Sequence, residues 1–92
     1  MSEAPVVREV VIQNQRGLHA RAAARFVKLA EQFAAEITVL RDGQAVSGRS
    51  IMGLMMLAAG LGAPIELRAV GPDAAAAIEA LVRLIEGKFD ED

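Results

Sequence analysis

The chain contains one histidine, His19, in the stretch GLHARAAARF at residues 17–26. Arg21 follows two residues later, and no carboxylate is close to His19 in the sequence. Further basic side chains lie near it along the chain: Arg16, Arg25 and Lys28. A β-like segment gives way here to a helix-like one, so a helix that begins near Ala20 places His19 at its N-cap. The amides and dipole of a helix start attract an anion and disfavour a second proton on the ring, so we expect a neutral, nucleophilic imidazole.

A neutral ring nitrogen beside an anion-binding helix start is suited to carrying a phosphoryl group. Arg21, in the first helical turn, would add a fixed positive charge and several hydrogen-bond donors. No separate base is needed, because a neutral imidazole can attack phosphorus directly. The alternative interpretation is that His19 only caps the helix, while Arg21 and Arg25 form a solvated face.

Two other uses of a histidine fit the sequence poorly. A metal site lacks ligands, because the chain has no second histidine and no cysteine. A serine hydrolase lacks a nucleophile, because none of the three serines lies in a Gly-x-Ser-x-Gly turn between a strand and a helix. We therefore expect neither a metal centre nor hydrolytic chemistry at His19.

Composition narrows the remaining classes of function. A net charge of −2 and an aromatic content of 3% argue against nucleic-acid binding. No stretch reaches the roughly 20 apolar residues that a membrane span needs, so we expect no membrane insertion. The chain begins without a signal-like segment and has no cysteine, which predicts a cytoplasmic protein. Its 92 residues predict a single domain, 1–92.

Hydrophobic periodicity predicts the order βαββαβα, typical of a two-layer α/β domain. The predicted segments are a strand over 6–13, a helix over 19–33, a hairpin over 36–47, a helix over 51–58, a strand over 63–70 and a helix capped by Asp73 and ended by Gly87. Asp42-Gly43 favours a two-residue hairpin turn, and the resulting register places Val39 opposite Val46.

Ser50 precedes the apolar stretch IMGLMMLA and is predicted to cap its helix, which we expect Gly60 and Gly62 to close. If this short helix turns Ile51, Leu54 and Ala58 toward the sheet, its methionines stay partly exposed. Exposed methionines suit a surface that binds several partners, although they also fill gaps in cores. The methionines concerned are Met52, Met55 and Met56.

The stretch GLHARAAARF resembles the active-site motif of HPr, the histidine phosphocarrier family of the bacterial phosphotransferase system. GRSIMGLMML resembles the regulatory-serine helix of the same family, and the resemblance covers nearly the whole chain. It implies an α/β (α+β) open-faced β-sandwich, in which three helices cover one face of a four-stranded antiparallel sheet. One departure is Ala22, which stands where the family motif has proline.

The resemblance also implies a function and the residues that perform it. His19 would carry phosphate on Nδ1, held by Arg21 and by the backbone amides of Ala20 and Arg21. The phosphate would arrive from enzyme I, charged by phosphoenolpyruvate, and would leave to an enzyme IIA protein. Such a protein is a covalent carrier rather than a turnover enzyme, and it is expected to act as a monomer without a cofactor.

Two further roles come from the same resemblance. Ser50 would be phosphorylated by HPr kinase/phosphorylase. Enzyme I and enzyme IIA would dock beside the histidine on a surface formed by Ala20, Ala24, Ile51, Met52, Met55 and Met56.

Two questions stay open at this point. A purely regulatory module acting through phosphorylated Ser50 is the alternative to a carrier, although the presence of His19 argues against it. Within the family, Ala22 and the ending GKFDED resemble the nitrogen-type carrier, whereas RSIMG resembles carriers regulated at serine. Both the sugar branch and the nitrogen-related branch are therefore kept.

Overall fold

The computed structural model describes residues 4–91. Four strands form one antiparallel sheet in the order β1-β4-β2-β3, and three helices lie on one of its faces. The elements are β1 (Val6–Val11), α1 (Ala20–Ala30), β2 (Glu36–Arg41), β3 (Gln44–Ser47), α2 (Ile51–Met56), β4 (Pro64–Val70) and α3 (Ala74–Glu86), followed by a 3₁₀ turn at Lys88–Asp90. The predicted order βαββαβα and the open-faced β-sandwich are confirmed.

The hairpin between β2 and β3 follows its turn residues. Asp42 and Gly43 have φ angles of 49° and 80°, the left-handed region that a two-residue turn of this kind requires. Val39 pairs with Val46, as the predicted register requires. In β4 the inward positions Ile65 and Leu67 are buried, in agreement with the alternation of the sequence.

The hydrophobic core fills the space between the sheet and the helices. Helix α3 packs against β1 and β4, while α1 packs against both α2 and α3. The largest buried side chains come from every layer: Ile12, Phe26, Leu54, Leu57, Ile65, Leu67, Ile78, Leu81, Ile85 and Phe89. Within residues 4–91, none of the helices combines the length and the apolar character required to cross a bilayer.

Strand β1 and helix α1 are shorter than predicted. Strand β1 ends at Val11, opposite the first residue of β4, and Ile12 bonds instead to the loop before β4 through Ala63 and Gly62. Helix α1 ends at Ala30 rather than at Phe33, because the next turn tightens. Its amides reach carbonyls only three residues back, as Phe33 N does to Ala30 O at 3.2 Å.

Helix α2 differs most from the prediction. It ends at Met56, and Ala58, with a φ of 53°, takes the left-handed conformation that was expected of the glycines beyond it. Leu54 and Leu57 are the residues that reach the core, whereas Ile51 is 40% exposed and Ala58 is exposed, so placing those two on the buried face was wrong. A helix of six residues can bury only one narrow stripe, and the i, i+3 pair of leucines occupies it.

Asp73 precedes α3 as predicted but does not cap it with its side chain. Its carboxylate instead accepts a hydrogen bond from the amide of Ala34 at 2.8 Å, which ties the start of α3 to the segment before β2. Gly87 follows the last residue of α3, as the sequence predicts.

Candidate functional site

His19 is the N-cap residue of α1. Its backbone is extended, and its carbonyl accepts the first helical hydrogen bond, from Ala23 N at 2.8 Å. Its side chain makes no capping hydrogen bond, so the imidazole is not used to satisfy the helix start. The side chain is 23% exposed and is therefore accessible from one side only.

Gly17 positions the histidine loop. Its φ is +64°, and a Cβ at this residue would lie 2.4 Å from the carbonyl oxygen of Ala59. Leu18 N donates to that same oxygen at 3.0 Å. The loop before α1 is thus held against the connection between α2 and β4 at a separation that only glycine permits.

A carboxylate does contact His19, contrary to what proximity in the sequence suggested. Glu91 Oε2 lies 2.5 Å from His19 Nε2, although the two residues are 72 positions apart. The second oxygen, Oε1, accepts from Asn14 Nδ2 at 3.1 Å. Asn14 is itself buried and donates to Gly17 O at 2.8 Å, so the network is anchored to the histidine loop.

The segment after α3 brings Glu91 to this position. Lys88, Phe89 and Asp90 all have positive φ angles, between 55° and 60°, which turn the chain back toward α1. Phe89 is fully buried in the core, and the Arg25 guanidinium donates to its carbonyl oxygen. Arg25 is therefore not a freely solvated side chain, because it fastens the C-terminal segment to α1.

The surroundings of Glu91 favour its ionised form. The hydrogen bond with His19 is the main cause that lowers the pKa of Glu91, and the bond from Asn14 is the next. Partial desolvation acts in the opposite direction, while attraction from His19 in its protonated form and from Arg16 lowers the pKa further. The carboxylate is thus ionised at neutral pH and available as a hydrogen-bond acceptor.

Beside this network is an open depression of about 370 Å³. Its lining combines the predicted basic residues with the C-terminal acids: Gln15, Arg16, His19, Arg21, Arg25, Asp90 and Glu91. Lys28 was grouped with these basic residues but does not line it. Among residues 4–91 no cluster of side chains could hold a metal ion. Three guanidinium groups around one imidazole suit a multiply charged anion.

Ser50 and the methionines of α2 form a second feature. Ser50 Oγ accepts from Gly53 N at 2.8 Å, which confirms the predicted cap. Met52 and Met56 are 69% and 70% exposed, and Met55 is exposed as well. Ala20 is exposed and Ala24 half-buried on α1, which packs against α2.

Sequence reasoning located His19 and its arginines but missed Asn14 and Glu91. The ending FDED is visibly acidic, and its charge is opposite to that of the cluster around His19. That complementarity is the one signal that could have paired the two segments. It does not indicate which of the acids reaches the ring.

Known proteins that are similar to this chain are phosphocarriers. The family model described as "PTS HPr component phosphorylation site" matches residues 6–87. The phosphocarrier protein HPr of Cupriavidus necator is 45% identical over 84 residues, covering 91% of this chain and 94% of that protein. The phosphocarrier protein NPr of Shewanella violacea is 46% identical over 84 residues, covering 91% of this chain and 92% of its own length.

A solved structure shows the same architecture. The crystal structure of HPr-C-His from Thermoanaerobacter tengcongensis superimposes with a TM-score of 0.90 at 45% sequence identity. The match covers 95% of this chain and 98% of that one. The likeness therefore extends over nearly the whole chain, and residues 6–87, which the family model matches, include both the histidine loop and α2.

Proposed function

Because this chain belongs to the HPr family of the bacterial phosphotransferase system, we propose that it is a phosphocarrier that takes a phosphoryl group on His19. The observation that carries the proposal is the position of His19. It stands at the first residue before α1, in a depression lined by Arg16, Arg21 and Arg25. The chain is then a covalent intermediate between two other proteins and not an enzyme that turns over.

The phosphate would be held by the start of α1. The backbone amides of Ala20 and Arg21 belong to the first turn, where helix amides have no partner within the helix. The Arg21 side chain is exposed and lines the depression, so its guanidinium can donate hydrogen bonds to a phosphoryl group there. Ala22, which replaces the family's proline, is buried and does not line the depression, so this replacement takes no phosphate ligand away.

Enzyme I would supply the phosphoryl group and an enzyme IIA protein, of the sugar or the nitrogen-related branch, would accept it. The exposed methionines of α2 support a docking role, because a thioether side chain repacks against different partners at little cost. Ile51 is exposed on the same helix, and Ala20 and Ala24 lie on α1, which packs against it, so together they would form one apolar docking surface. We call this set, completed by Met52, Met55 and Met56, the α1–α2 surface.

Ser50 is the proposed regulatory site, phosphorylated by HPr kinase/phosphorylase. It is half-buried at the start of α2, directly before the exposed Ile51 and Met52. A phosphate there would add negative charge to the α1–α2 surface, which disfavours docking of an acidic partner. A module that acts only through phosphorylated Ser50 is the competing function.

Phosphorylation with enzyme I and phosphoenolpyruvate tests the proposal and separates it from that alternative. We expect one phosphate per chain that is labile in acid and stable in base, because a protonated ring nitrogen is a good leaving group whereas a serine ester is not. His19→Ala should abolish it. Arg21→Ala should slow its formation about tenfold or more, because the developing phosphoryl charge loses a guanidinium.

Ser50→Ala is the matched control and should still acquire the acid-labile phosphate. Uptake of acid-labile phosphate by His19→Ala would contradict the assignment. A parent protein that acquires only acid-stable phosphate, and loses it on Ser50→Ala, would favour the regulatory module.

A further inference from the structure

We propose that Glu91 is a positioning residue for phosphoryl transfer: it accepts the Nε2–H proton of His19 in a hydrogen bond and so leaves Nδ1 as the bare, nucleophilic nitrogen. This inference rests on the proposed function and adds a residue that the sequence motifs of the family resemblance do not contain. It starts from one contact, the 2.5 Å separation of Glu91 Oε2 and His19 Nε2.

A neutral imidazole carries its single proton on either nitrogen, and the partner of one nitrogen decides which. Because an ionised carboxylate can only accept, the nitrogen that faces it must carry the proton. The lowered pKa of Glu91 supports an ionised carboxylate at this place. Among residues 4–91 the His19 side chain has no other hydrogen-bond partner, which leaves Nδ1 with a free lone pair.

Glu91 is held in place by several contacts of its own side chain and of the segment before it. Asn14, which is buried and bonded to Gly17 O, donates to the other carboxylate oxygen. Phe89, two residues before Glu91, is buried in the core, and the Arg25 guanidinium binds its carbonyl. The carboxylate is 19% exposed, comparable to the ring that it contacts.

The chemistry of the step balances without a separate base. The Nδ1 lone pair forms the N–P bond while the bond between phosphorus and the donor atom breaks, and its electron pair leaves with the donor. His19 keeps its Nε2 proton, so the ring becomes cationic as the N–P bond forms. The Glu91 carboxylate then lies against a positive charge that was absent before the step, which favours the transition state over the ground state.

The same contact serves the return step. Nδ1 leaves phosphorus with the electron pair of the N–P bond, and the ring becomes neutral again with its proton still on Nε2. A ring that stays protonated at Nε2 is a better leaving group than one that has lost this proton. One hydrogen bond is thus compatible with both loading and unloading, as a carrier requires.

Other charges face this pair and must be kept constant in a test. Arg16, Arg21 and Arg25 line the same depression from the loop and from α1, and Asp90 lines it from the C-terminal segment. Asp90 makes no hydrogen bond to His19 and is exposed. Because Asp90 lines the depression itself, the control for the loss of a carboxylate charge is Glu86, which is exposed at the end of α3 and does not line the depression.

We test the proposal with Glu91→Gln and the matched control Glu86→Gln. A glutamine has an NH₂ donor in place of one carboxylate oxygen, so it cannot present a separate oxygen to each of His19 and Asn14 as Glu91 does. We expect Glu91→Gln to lower the rate of His19 phosphorylation about tenfold, the loss expected when a hydrogen bond to a charged group is weakened. Glu86→Gln should keep the parent rate within about twofold, since it removes a screened surface charge outside the depression.

Nitrogen NMR of the His19 ring measures which nitrogen carries the proton, a property that would not change if Glu91 had only a structural role. The parent and Glu86→Gln should show a proton on Nε2 and none on Nδ1, and Glu91→Gln should show a mixture of the two tautomers. A ring spectrum unchanged by Glu91→Gln, or a phosphorylation rate equal to or above that of the parent, overturns the inference. A parent that takes no phosphate from enzyme I contradicts the proposed function instead, and the ring spectra still decide where the proton lies.

Discussion

At the scale of single residues, the site depends on a few side chains held in one arrangement. His19 lies directly before α1, and Arg21 and Arg25 belong to that helix. Glu91 contacts Nε2 of the His19 ring. Each supplies a different property: a ring nitrogen, a fixed positive charge, a tether to the C-terminal segment and an acceptor. The depression is lined by both basic and acidic side chains, so a neutral and a positively charged His19 ring interact differently with them.

The titration of Glu91 is a direct consequence of this arrangement. His19→Ala removes the main cause that lowers the pKa of Glu91, so that pKa should rise toward the ordinary carboxyl value. Carbon NMR of the Glu91 carboxyl across acidic pH measures the change. Lys28→Ala, which alters a charge outside the depression, is the control and should leave the titration unchanged.

The lowered pKa of Glu91 also predicts how the stability of the fold depends on pH. A carboxyl whose pKa is lower in the folded state contributes stability above the pKa of the unfolded chain and loses it as pH falls through the folded pKa. The contact between Glu91 and His19 should therefore be intact at neutral pH and be lost only in acid, below the ordinary range for glutamate. Identical Glu91 titrations in the parent and in His19→Ala would contradict the contact.

At the scale of elements, α1 and α2 have different roles. Helix α1 provides the start at which we propose that phosphate is held and carries Arg21 and Arg25, while α2 buries Leu54, is followed by the buried Leu57 and leaves its methionines exposed. Ser50 caps α2 through Gly53 N and so supports a helix of six residues that has little stability of its own. The exposure of the methionines follows from this shortness.

The α1–α2 surface should bind enzyme I. Met52→Asp should weaken that binding at least about tenfold, or roughly 1.4 kcal/mol, because it places a charge in an apolar contact. Calorimetric titration measures the affinity, and the free energy of unfolding should change little because Met52 is exposed.

Val7→Asp is the matched control for a new charge at an exposed apolar residue. Val7 lies on the outer face of β1 opposite Arg68, where an aspartate is tolerated. It should leave the affinity for enzyme I unchanged. Equal affinities of Met52→Asp and the parent would remove α2 from the docking surface.

At the scale of the whole molecule, the C-terminal segment packs against the core and also contributes Glu91 to the site. The 3₁₀ turn at Lys88–Asp90 inserts Phe89 into the core that α1 and α3 share with the sheet. Its three positive φ angles are unfavourable for residues with a Cβ and persist because the buried ring and the Arg25 bond outweigh them. Stability of the fold and placement of Glu91 are thereby coupled.

Phe89→Ala should lower the free energy of unfolding by about 3–5 kcal/mol, the usual cost of removing a buried phenylalanine ring. Chemical denaturation measures it. Lys88→Ala, at an exposed neighbour with the same backbone requirement, should change the free energy by less than about 0.5 kcal/mol. A loss below about 1 kcal/mol for Phe89→Ala would show that the C-terminal segment is not part of the core.

Much of the fold could be predicted because its signals are local. The Asp42-Gly43 turn sets the register of β2 and β3, and the alternation in β4 shows which side chains face the core. Ser50 marks the start of α2 and Gly87 the end of α3. Element ends were less accurate, because α1 ends at Ala30 where the next turn tightens, and α2 ends at Met56 shortly before the left-handed Ala58.

The sequence by itself determined the element order, the helix start at His19 and the basic character around it, because each depends on residues within a turn or two of one another. The tertiary structure alone decided that Glu91 contacts the ring and that Asp73 bonds to Ala34 instead of capping α3. It also decided that Asn14 holds Glu91. A carboxylate has many possible partners of equal chemistry along a chain, and the packing of Phe89 in the core, with the hydrogen bonds from Arg25 and Asn14, brings Glu91 to His19.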